Sequence, residues 1–300
     1  AVRGDEIEID FDGAPPQLPQ GGLNSTLNYT AAHATYPLKC MLTPSVRGNA
    51  GCYRPFTVKA PDGSVLNPRR PASVNIRTRT GWYIAPNIFR ALADAAPAQV
   101  QAFTGLPVAA NIYGQTQDGV TYSDLLFIGG GQGASQQRDG KSGLLWPTSA
   151  ANTSIELFET RVPVLVLEKT YLENSGGAGR QRGGLGQRVR FRKLNADGQT
   201  ALVSVYPEGV GNPTPGLYGG QPGGEARGVV IDPQGHLLHD CGTGDLVSLQ
   251  TPDEIVEIVI AGGAGFGNPL ERPRDLVRQD VHDGLISQEV AQRDYGLTAG

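Results

Sequence analysis

Residues 174–184 read NSGGAGRQRGG and hold five glycines and two arginines. Because glycine has no Cβ, such a stretch can bring backbone N–H groups together around an anion, and the arginine guanidinium suits phosphate or carboxylate. The spacing differs from the P-loop and from the dinucleotide-binding fingerprint, since no Lys-Ser/Thr pair follows and no GxGxxG motif opens a helix. The stretch therefore predicts either an anion site or a tight hydrated turn, and composition alone favours the turn.

The composition narrows the class of protein. A chain of 300 residues with 39% hydrophobic content can bury one large core or two smaller ones. The net charge of −4 argues against a nucleic-acid-binding surface, and no apolar run approaches the ~20 residues of a membrane span. With 42 glycines and 22 prolines, the chain is typical of a loop-rich protein with many short strands.

The cysteines indicate the compartment. Cys40, Cys52 and Cys241 are odd in number and show no CxxC spacing, so they predict neither a disulfide framework nor a zinc site. Reduced thiols are typical of the cytoplasm, which is where we expect this protein.

The first part of the chain mixes strands and helices. Residues 4–11, GDEIEIDF, alternate acidic and apolar side chains as a half-buried strand does, and we expect this strand to continue another polypeptide. Asn24 or Ser25 is the expected N-cap of a helix that Pro44 stops. A strand is predicted from about Phe56, and residues 83–103 predict two short helices broken at Pro97. Further strands are predicted in the stretches NIYGQ and SDLLFI.

The pattern changes at Arg161. Short apolar runs separated by turn residues follow one another, as in an antiparallel β-rich module. The last segment predicts two short helices on either side of Gly284, the second capped by Ser287. We therefore predict an α+β fold in three parts: a mixed α/β, cavity-forming region with glycine-rich loops over 1–160, an antiparallel β-rich module over 161–263, and a helical C-terminal tail over 264–300.

Few residues match a known catalytic or metal-binding motif. His236 and His239 stand three apart beside Asp240, but the stretch predicts a strand, in which such residues point to opposite faces, so a metal site is not favoured. His33 and His282 have no partner at metal-ligand spacing. The sequence contains no GxSxG elbow and no local signature of a catalytic cysteine, so the catalytic residues are not assigned.

Two polar segments remain as candidates. The loop GGGQG, residues 129–133, directly follows the apolar run LLFI, and successive glycines there allow a ligand or another backbone to approach closely. In the stretch ANTSIELFET, Asn152, Glu156 and Glu159 would share one face if the segment were helical, but not if it were a strand. The alternative is a capped helix start that faces solvent.

Five stretches, taken in order, resemble one family. They are YPLKCMLTPSVRGNAGCYRP (36–55), GGGQGASQQRDG (129–140), TSAANTSIELFE (148–159), NSGGAGRQRGGLG (174–186) and GGAGFGNPLERPRDLVRQDVHDGLISQEVAQRDYGL (262–297). Together they are similar to the C-terminal half of the hydantoinase B / oxoprolinase family. One departure is near the C-terminus, where the family often has TPGGGG and this chain has IAGGAG after a shifted TPDE.

The resemblance implies a role in a complex. The family supplies one subunit or one half of ATP-dependent enzymes that open hydantoin, 5-oxoproline or lactam rings, and related proteins carboxylate acetone or acetophenone. A hydantoinase A-type partner binds ATP, and the N-terminal half of the B-type protein binds a divalent metal through His and Asp residues. Those His/Asp motifs are absent here, so the resemblance implies that this chain alone binds no cofactor. ATP with Mg²⁺ and the divalent metal are expected on partner chains of a hetero-oligomer, one of which supplies the missing N-terminal half.

The resemblance also suggests which residues would form walls of a substrate cavity. They are Asn49, Arg54, Gly130, Gly131, Asn152, Glu156 and Arg180. Arg180 and Arg182 are candidates to bind an acidic group of the partner or of a phosphorylated intermediate. Three functions stay open: a subunit of a cyclic-amide hydrolase, a subunit of a ketone carboxylase, and a bracing subunit without catalytic residues. A free-standing carbohydrate-binding β domain is a weaker fourth reading.

Overall fold

The computed structural model describes residues 1–148 and 150–298, and the chain divides into two compact units, Ala1–Val100 and Gln101–Gly300. This division differs from the boundary at residue 160 that the change in sequence pattern predicts. The reason is that strands on both sides of residue 160 pair in one sheet of the second unit. Within the described residues, no helix has the length and apolar character that crossing a membrane requires.

The first unit contains a small sheet and three helices. The strands are β1 (Val2–Arg3), β2 (Glu6–Asp10) and β3 (Phe56–Lys59), and the helices are α1 (Leu27–Leu42), α2 (Ala50–Tyr53) and α3 (Arg77–Ala91). β2 pairs with β1 antiparallel and with β3 parallel. The strands predicted at the N-terminus and from Phe56 are therefore confirmed.

Both long helices of this unit differ in detail from the sequence prediction. The N-cap of α1 is Thr26, and the Asn24 side chain instead accepts from Leu18 N at 2.8 Å and donates to Ser73 O at 3.0 Å. The two short helices predicted over residues 83–103 are wrong. One helix, α3, begins at Arg77 and already ends at Ala91, and its buried residues form a single apolar face that starts before the predicted segment.

The second unit is built on two antiparallel sheets. Its strands are β4 (Val108–Gln115), β5 (Thr121–Ile128), β6 (Val164–Tyr171), β7 (Gln187–Lys193), β8 (Ala201–Val205), β9 (Arg227–Ile231), β10 (Leu237–Asp240), β11 (Asp245–Leu249) and β12 (Ile255–Val259). One sheet has the order β10-β9-β12-β7-β6 and the other β11-β8-β4-β5. The antiparallel β-rich module predicted after Arg161 is confirmed, and it also includes β4 and β5.

The core of this unit lies between the two sheets. Val189 and Phe191 of β7 are fully buried, whereas the alternating residues Arg188 and Arg190 are partly exposed, as the geometry of a strand requires. The buried residues of β7 belong to one apolar cluster with Ile112 of the other sheet. Two sheets that share a core in this way form a sandwich.

The C-terminal tail forms two short helices, as predicted. They are α5 (Arg274–His282) and α6 (Gln288–Tyr295), while a shorter helix, α4 (Ile155–Glu159), precedes β6. Gly284 lies between α5 and α6 with φ 68°, and the Ser287 side chain accepts from Val290 N at 3.4 Å. The pair packs around the fully buried Tyr295.

Glycine-rich segments of the second unit pack backbone against backbone. We call them the glycine network, and they comprise residues 105, 129–133, 140, 176–186, 216–224 and 262–267. A Cβ on Gly131 would collide with the carbonyl oxygen of Gly184, and a Cβ on Gly183 would collide with that of Gly263. Side chains are therefore excluded between these segments.

Hydrogen bonds cross from one segment of the glycine network to the next. Gly105 N donates to Gly131 O at 2.8 Å, and Gly263 N donates to Gly184 O at 2.9 Å. Gly177 N donates to Gly263 O at 2.8 Å. The stretch 174–184 thus uses its glycines to approach other backbone segments, which satisfies buried peptide groups outside any regular sheet.

We expect the substitution Gly131→Ala to destabilise the protein by about 3 kcal/mol, because the added methyl group cannot be placed without moving backbone. Urea unfolding followed by circular dichroism would measure the change. The control is Gly48→Ala, whose Cβ would meet only the Tyr53 hydroxyl at 3.9 Å. Equal unfolding midpoints for the two variants would contradict the close packing.

Candidate functional site

Two of the candidate residues lie in the first unit, at the two ends of α2. The Asn49 side chain caps the helix by accepting from Gly51 N at 2.8 Å and from Cys52 N at 3.3 Å. Arg54 follows the helix as its C-cap residue, and both residues are exposed. Asn49 thus has a structural role that fixes the backbone, while the Arg54 side chain is available to a partner or ligand.

Gly130 and Gly131 lie inside the glycine network. Both are buried, and the space beside them is occupied by the backbones of Gly105 and Gly184. The close approach that successive glycines allow at this loop is therefore an approach by other segments of the same chain.

Asn152 holds the glycine loop in place. Its side-chain oxygen accepts from Gly129 N at 3.3 Å, and its Nδ2 donates to Gly143 O at 2.9 Å. Because Ser154 is the N-cap of α4, Asn152 lies outside the helix and does not share a helical face with Glu156. The segment thus has the capped helix start of the alternative interpretation, with Asn152 bound to the loop beside it.

Glu156 lies in the first turn of α4 and is exposed. It accepts from the Ser154 hydroxyl at 2.8 Å. A hydrogen bond with its own backbone N–H and the bond from Ser154 lower the pKa of this carboxyl. Glu159, at the end of the helix, accepts from Val166 N at 2.7 Å and so ties α4 to β6.

The two arginines of the stretch 174–184 differ in burial. Arg180 is exposed, so its guanidinium faces solvent. Arg182 is 5% exposed, with Nη1 donating to Gly183 O at 2.8 Å and Nε 3.4 Å from Asp280 Oδ2. Arg182 is therefore paired with a carboxylate of α5, which leaves Arg180 as the candidate for an external anion.

Arg182 belongs to a buried ion-pair network whose centre is Arg272, a residue that the sequence analysis did not identify. Arg272 donates from Nη1 and Nη2 to the two oxygens of Asp139, both at 2.8 Å, and Nη2 is also 2.8 Å from Asp280 Oδ2. Burial by itself lowers the pKa of Arg272, but the bond to Asp139 and the two negative charges outweigh it and raise this pKa. The network fastens the helical tail to the glycine network.

The histidines near β10 are not brought together. His236 Nδ1 is 2.8 Å from Asp232 Oδ2, and His239 Nε2 is 2.8 Å from Asp245 Oδ2. Over residues 1–148 and 150–298, no three His, Cys, Asp or Glu side chains lie close enough to hold a metal ion. The described residues therefore do not form a set of ligands for a divalent metal.

Polar side chains gather at one end of the five-stranded sheet. Lys169 pairs with Val189 and Tyr171 pairs with Gln187 across β6 and β7, so these side chains share the inward face that carries Val189. Gln187 is only 6% exposed, and its Oε1 is buried with no hydrogen-bond partner among the described residues. We call Gly143, Asn152, Lys169, Tyr171 and Gln187 the sheet-end cluster.

Contacts at Gly143 and Thr153 hold this cluster together. A Cβ on Gly143 would lie 2.6 Å from Gln187 Nε2, and the carbonyl of Gly143 accepts from Asn152. Lys169 Nζ donates to Thr153 O at 3.2 Å. Burial lowers the pKa of Lys169, while the charge of Glu156 opposes this effect.

The sheet-end cluster contains hydrogen-bonding groups that the described residues leave unused. An ammonium group has three donors, and Lys169 uses one of them on Thr153. Gln187 Oε1 offers an acceptor that nothing in the described residues uses. The sequence prediction included Asn152 and the neighbouring Glu156 but not Lys169 or Gln187.

The Hydantoinase B/oxoprolinase family matches residues 1–269, and the chain belongs to this family. The resemblance seen in the five sequence stretches is thereby confirmed.

Three comparisons identify proteins to which this chain is similar. The chain is 31% identical over 319 residues to the caprolactamase β subunit of Pseudomonas jessenii, a match that covers 99% of this chain and 52% of that protein. The crystal structure of ATP-dependent caprolactamase from the same organism superposes with a TM-score of 0.87 at 29% identity, covering 100% of this chain and 53% of that one.

The third comparison is a nucleotide-free structure of acetone carboxylase, which superposes with a TM-score of 0.78 at 20% identity. This match covers 99% of the chain and 44% of the carboxylase chain, and it shows likeness of fold alone. The chain spans about half the length of the first curated relatives it matches.

We expect Arg272→Met to lower the free energy of unfolding by about 3 kcal/mol, because Asp139 would lose its bidentate partner and the buried Asp280 would keep only its longer contact with Arg182. Guanidinium unfolding monitored by tryptophan fluorescence would measure the loss. The matched control is Arg293→Met, which removes an exposed arginine paired only with its neighbour Asp294. A loss below that of the control would mean that the network does not fasten the tail.

We expect Gln187→Met to raise the free energy of unfolding by about 1 kcal/mol, because it replaces an amide whose buried oxygen has no hydrogen-bond partner with an apolar group of similar size. The comparison variant is Gln117→Met, which removes an exposed amide that donates to Asp197 O at 2.8 Å. Thermal unfolding by calorimetry would compare the two. Destabilisation by Gln187→Met would show that the amide oxygen is already satisfied in the free protein.

Proposed function

We propose that this chain forms part of the B-type subunit of a cytoplasmic, ATP-dependent hydrolase that opens a cyclic amide of the hydantoin, 5-oxoproline or lactam class. The observation that carries the proposal is the likeness to caprolactamase, at 31% identity over 99% of the chain and a TM-score of 0.87. A hydantoinase A-type subunit and the remaining part of a B-type protein would complete the enzyme, with ATP, Mg²⁺ and the divalent metal bound on those chains.

The need for ATP follows from amide chemistry. An unstrained amide is a poor electrophile because resonance strengthens its C–N bond. Transfer of a phosphoryl group to the amide oxygen supplies a leaving group, and an enclosed cavity keeps water from the activated intermediate. In this scheme Asn152, Glu156 and Arg180 of the second unit contribute to walls of the cavity, while Gly130 and Gly131, which pack against other backbone segments, keep their loop in shape.

Ketone carboxylation is the second candidate. It is supported by the fold shared with acetone carboxylase, which rests on 20% identity. In that chemistry, phosphorylation would trap the enol of the ketone. The identity and the TM-score are both lower for acetone carboxylase than for caprolactamase, which favours the cyclic-amide hydrolase. A third candidate is a bracing role, in which these residues only complete the fold of the enzyme.

We expect the complex assembled with an A-type subunit and the complementary B-type part to release ADP when a lactam, hydantoin or 5-oxoproline is added. A coupled ADP assay with each substrate, and with acetone plus bicarbonate in parallel, separates hydrolysis from carboxylation. ADP release stimulated by acetone alone would favour the carboxylase. An absence of stimulation by every substrate would exclude both enzymatic proposals.

Alanine variants of Arg54, Asn152, Glu156 and Arg180, made one at a time, separate cavity walls from bracing. Size-exclusion chromatography establishes that each complex still assembles. If turnover survives all four substitutions in assembled complexes, the bracing role is correct. Because Asn152 also supports the glycine loop, the exposed residues Arg54, Glu156 and Arg180 give the cleanest comparison.

A further inference from the structure

We propose that the side of the sandwich between strands β10 and β11 binds an extended segment of a partner chain, in which an apolar side chain is flanked by lysine or arginine. We call this surface the β10–β11 edge, and it comprises residues 237–240 and 245–249. The inference goes beyond the proposed function, because it concerns assembly and does not depend on which reaction the complex catalyses.

The two strands are the terminal strands of their sheets. β10 ends the five-stranded sheet and β11 ends the four-stranded sheet. On the opposite side of the sandwich, the Thr153 hydroxyl accepts from Phe127 N of β5 at 2.9 Å, and Glu159 accepts from Val166 N of β6 at 2.7 Å. The segment around α4 thus covers that side, whereas no strand in the described part of the chain pairs with the outer side of β10 or β11. Proteins usually protect such edges, so an uncovered one indicates a partner.

A cavity of about 290 Å³ opens between the two strands. The exposed Leu238 and Leu246 line it, together with the buried Val230, Val247 and Leu249. These three buried residues belong to the apolar core between the sheets. An apolar side chain that enters the cavity would therefore contact the core directly, and its burial would favour binding.

Exposed leucines surround this cavity. Leu237, Leu238 and Leu246 keep between 46% and 54% of their surface exposed. The register of β10 against β9 shifts between Leu237 and His239, so Leu238 is the extra residue of a β-bulge, which redirects a side chain at a sheet edge. His239 Nε2 is 2.8 Å from Asp245 Oδ2 and so joins β10 to β11 at one end of the edge. The leucines are thus held on a fixed frame.

The charge of this region defines the partner. Residues 228–254, which contain β9, β10 and β11, include five acidic residues and no lysine or arginine. Asp245 and Glu254 line the cavity itself, and Asp240 is exposed at the end of β10. A basic segment would meet complementary charge here, whereas a second copy of this surface would bring like charges together. The edge therefore favours a basic partner over self-association.

Strand addition explains why the segment is extended. A peptide that pairs with a terminal strand forms backbone hydrogen bonds, and its alternate side chains point to the same side. A leucine that enters the cavity therefore has the residues two places before and after it on the same side. Lysine side chains at those two places would lie close to the acidic residues that line the cavity, Asp245 and Glu254.

The test uses the acetylated and amidated peptide KTLTK as the probe. The comparison peptides are ETLTE, which reverses the charges, and KTATK, which shortens the apolar side chain. Titrations of the full chain followed by NMR measure the dissociation constant of each. We expect KTLTK to bind in the millimolar range and about tenfold more tightly than either comparison peptide, because each of these lacks one of the two complementary features.

Leu238→Lys should weaken binding of KTLTK by about tenfold, because it replaces an apolar wall of the cavity with a charge of the same sign as the peptide. The matched control is Leu270→Lys, which changes a leucine of similar exposure outside this surface and should bind normally. Circular dichroism verifies that both variants are folded. Undetectable binding of KTLTK at about 10 mM, equal affinity for KTLTK and either comparison peptide, or equal binding by the parent and Leu238→Lys overturns the proposal.

A photo-crosslinking residue identifies the natural segment. The variant Leu238→benzoylphenylalanine is assembled with an A-type subunit and the complementary B-type part, and mass spectrometry locates the crosslink after irradiation. We expect a partner segment with lysine or arginine within two residues of an apolar side chain. A crosslink to a second copy of this chain, or no crosslink in the assembled complex, overturns the proposal. Neither result bears on ADP release, so the hydrolase function is tested separately.

Discussion

The second unit depends on direct contact between backbones that no side chain can enter. Where Gly131 meets Gly184, or Gly183 meets Gly263, a single methyl group would collide with a carbonyl oxygen. Peptide hydrogen bonds replace the apolar interlocking that usually fills a protein interior. The rest of the unit is arranged around this requirement: the two sheets supply an apolar core to one side, and the helical tail is fastened by buried charges.

The ion pairs around Arg272 attach the helical tail to glycine segments that offer it little apolar surface. Glycine segments expose peptide groups and offer no apolar surface to a neighbouring helix. A guanidinium held by Asp139 and Asp280 joins a glycine loop to α5 through directional bonds instead. Tyr295 closes the same region from α6, where burial raises its pKa to about 12.

The sequence predicts those elements whose signals are local. Alternation identified β2 and the strands after Arg161, and the Gly284–Ser287 pair separated α5 from α6. Hydrogen bonds to residues far away in the sequence cannot be predicted from local signals. Asn24, for example, bonds to Ser73 and does not cap α1. The sheet-end cluster was missed for a specific reason: the register of β6 shifts between Val166 and Glu168, which turns Lys169 inward where plain alternation would turn it outward.

The order of the chain gives the glycine network one further property. The segment 262–267 forms hydrogen bonds with residues 134, 177 and 184, yet it is synthesised after all three of them. During translation, the peptide groups of the earlier segments stay exposed to water until residues 262–267 have left the ribosome. Such long-range closure makes folding slow and leaves the nascent protein dependent on protection from aggregation.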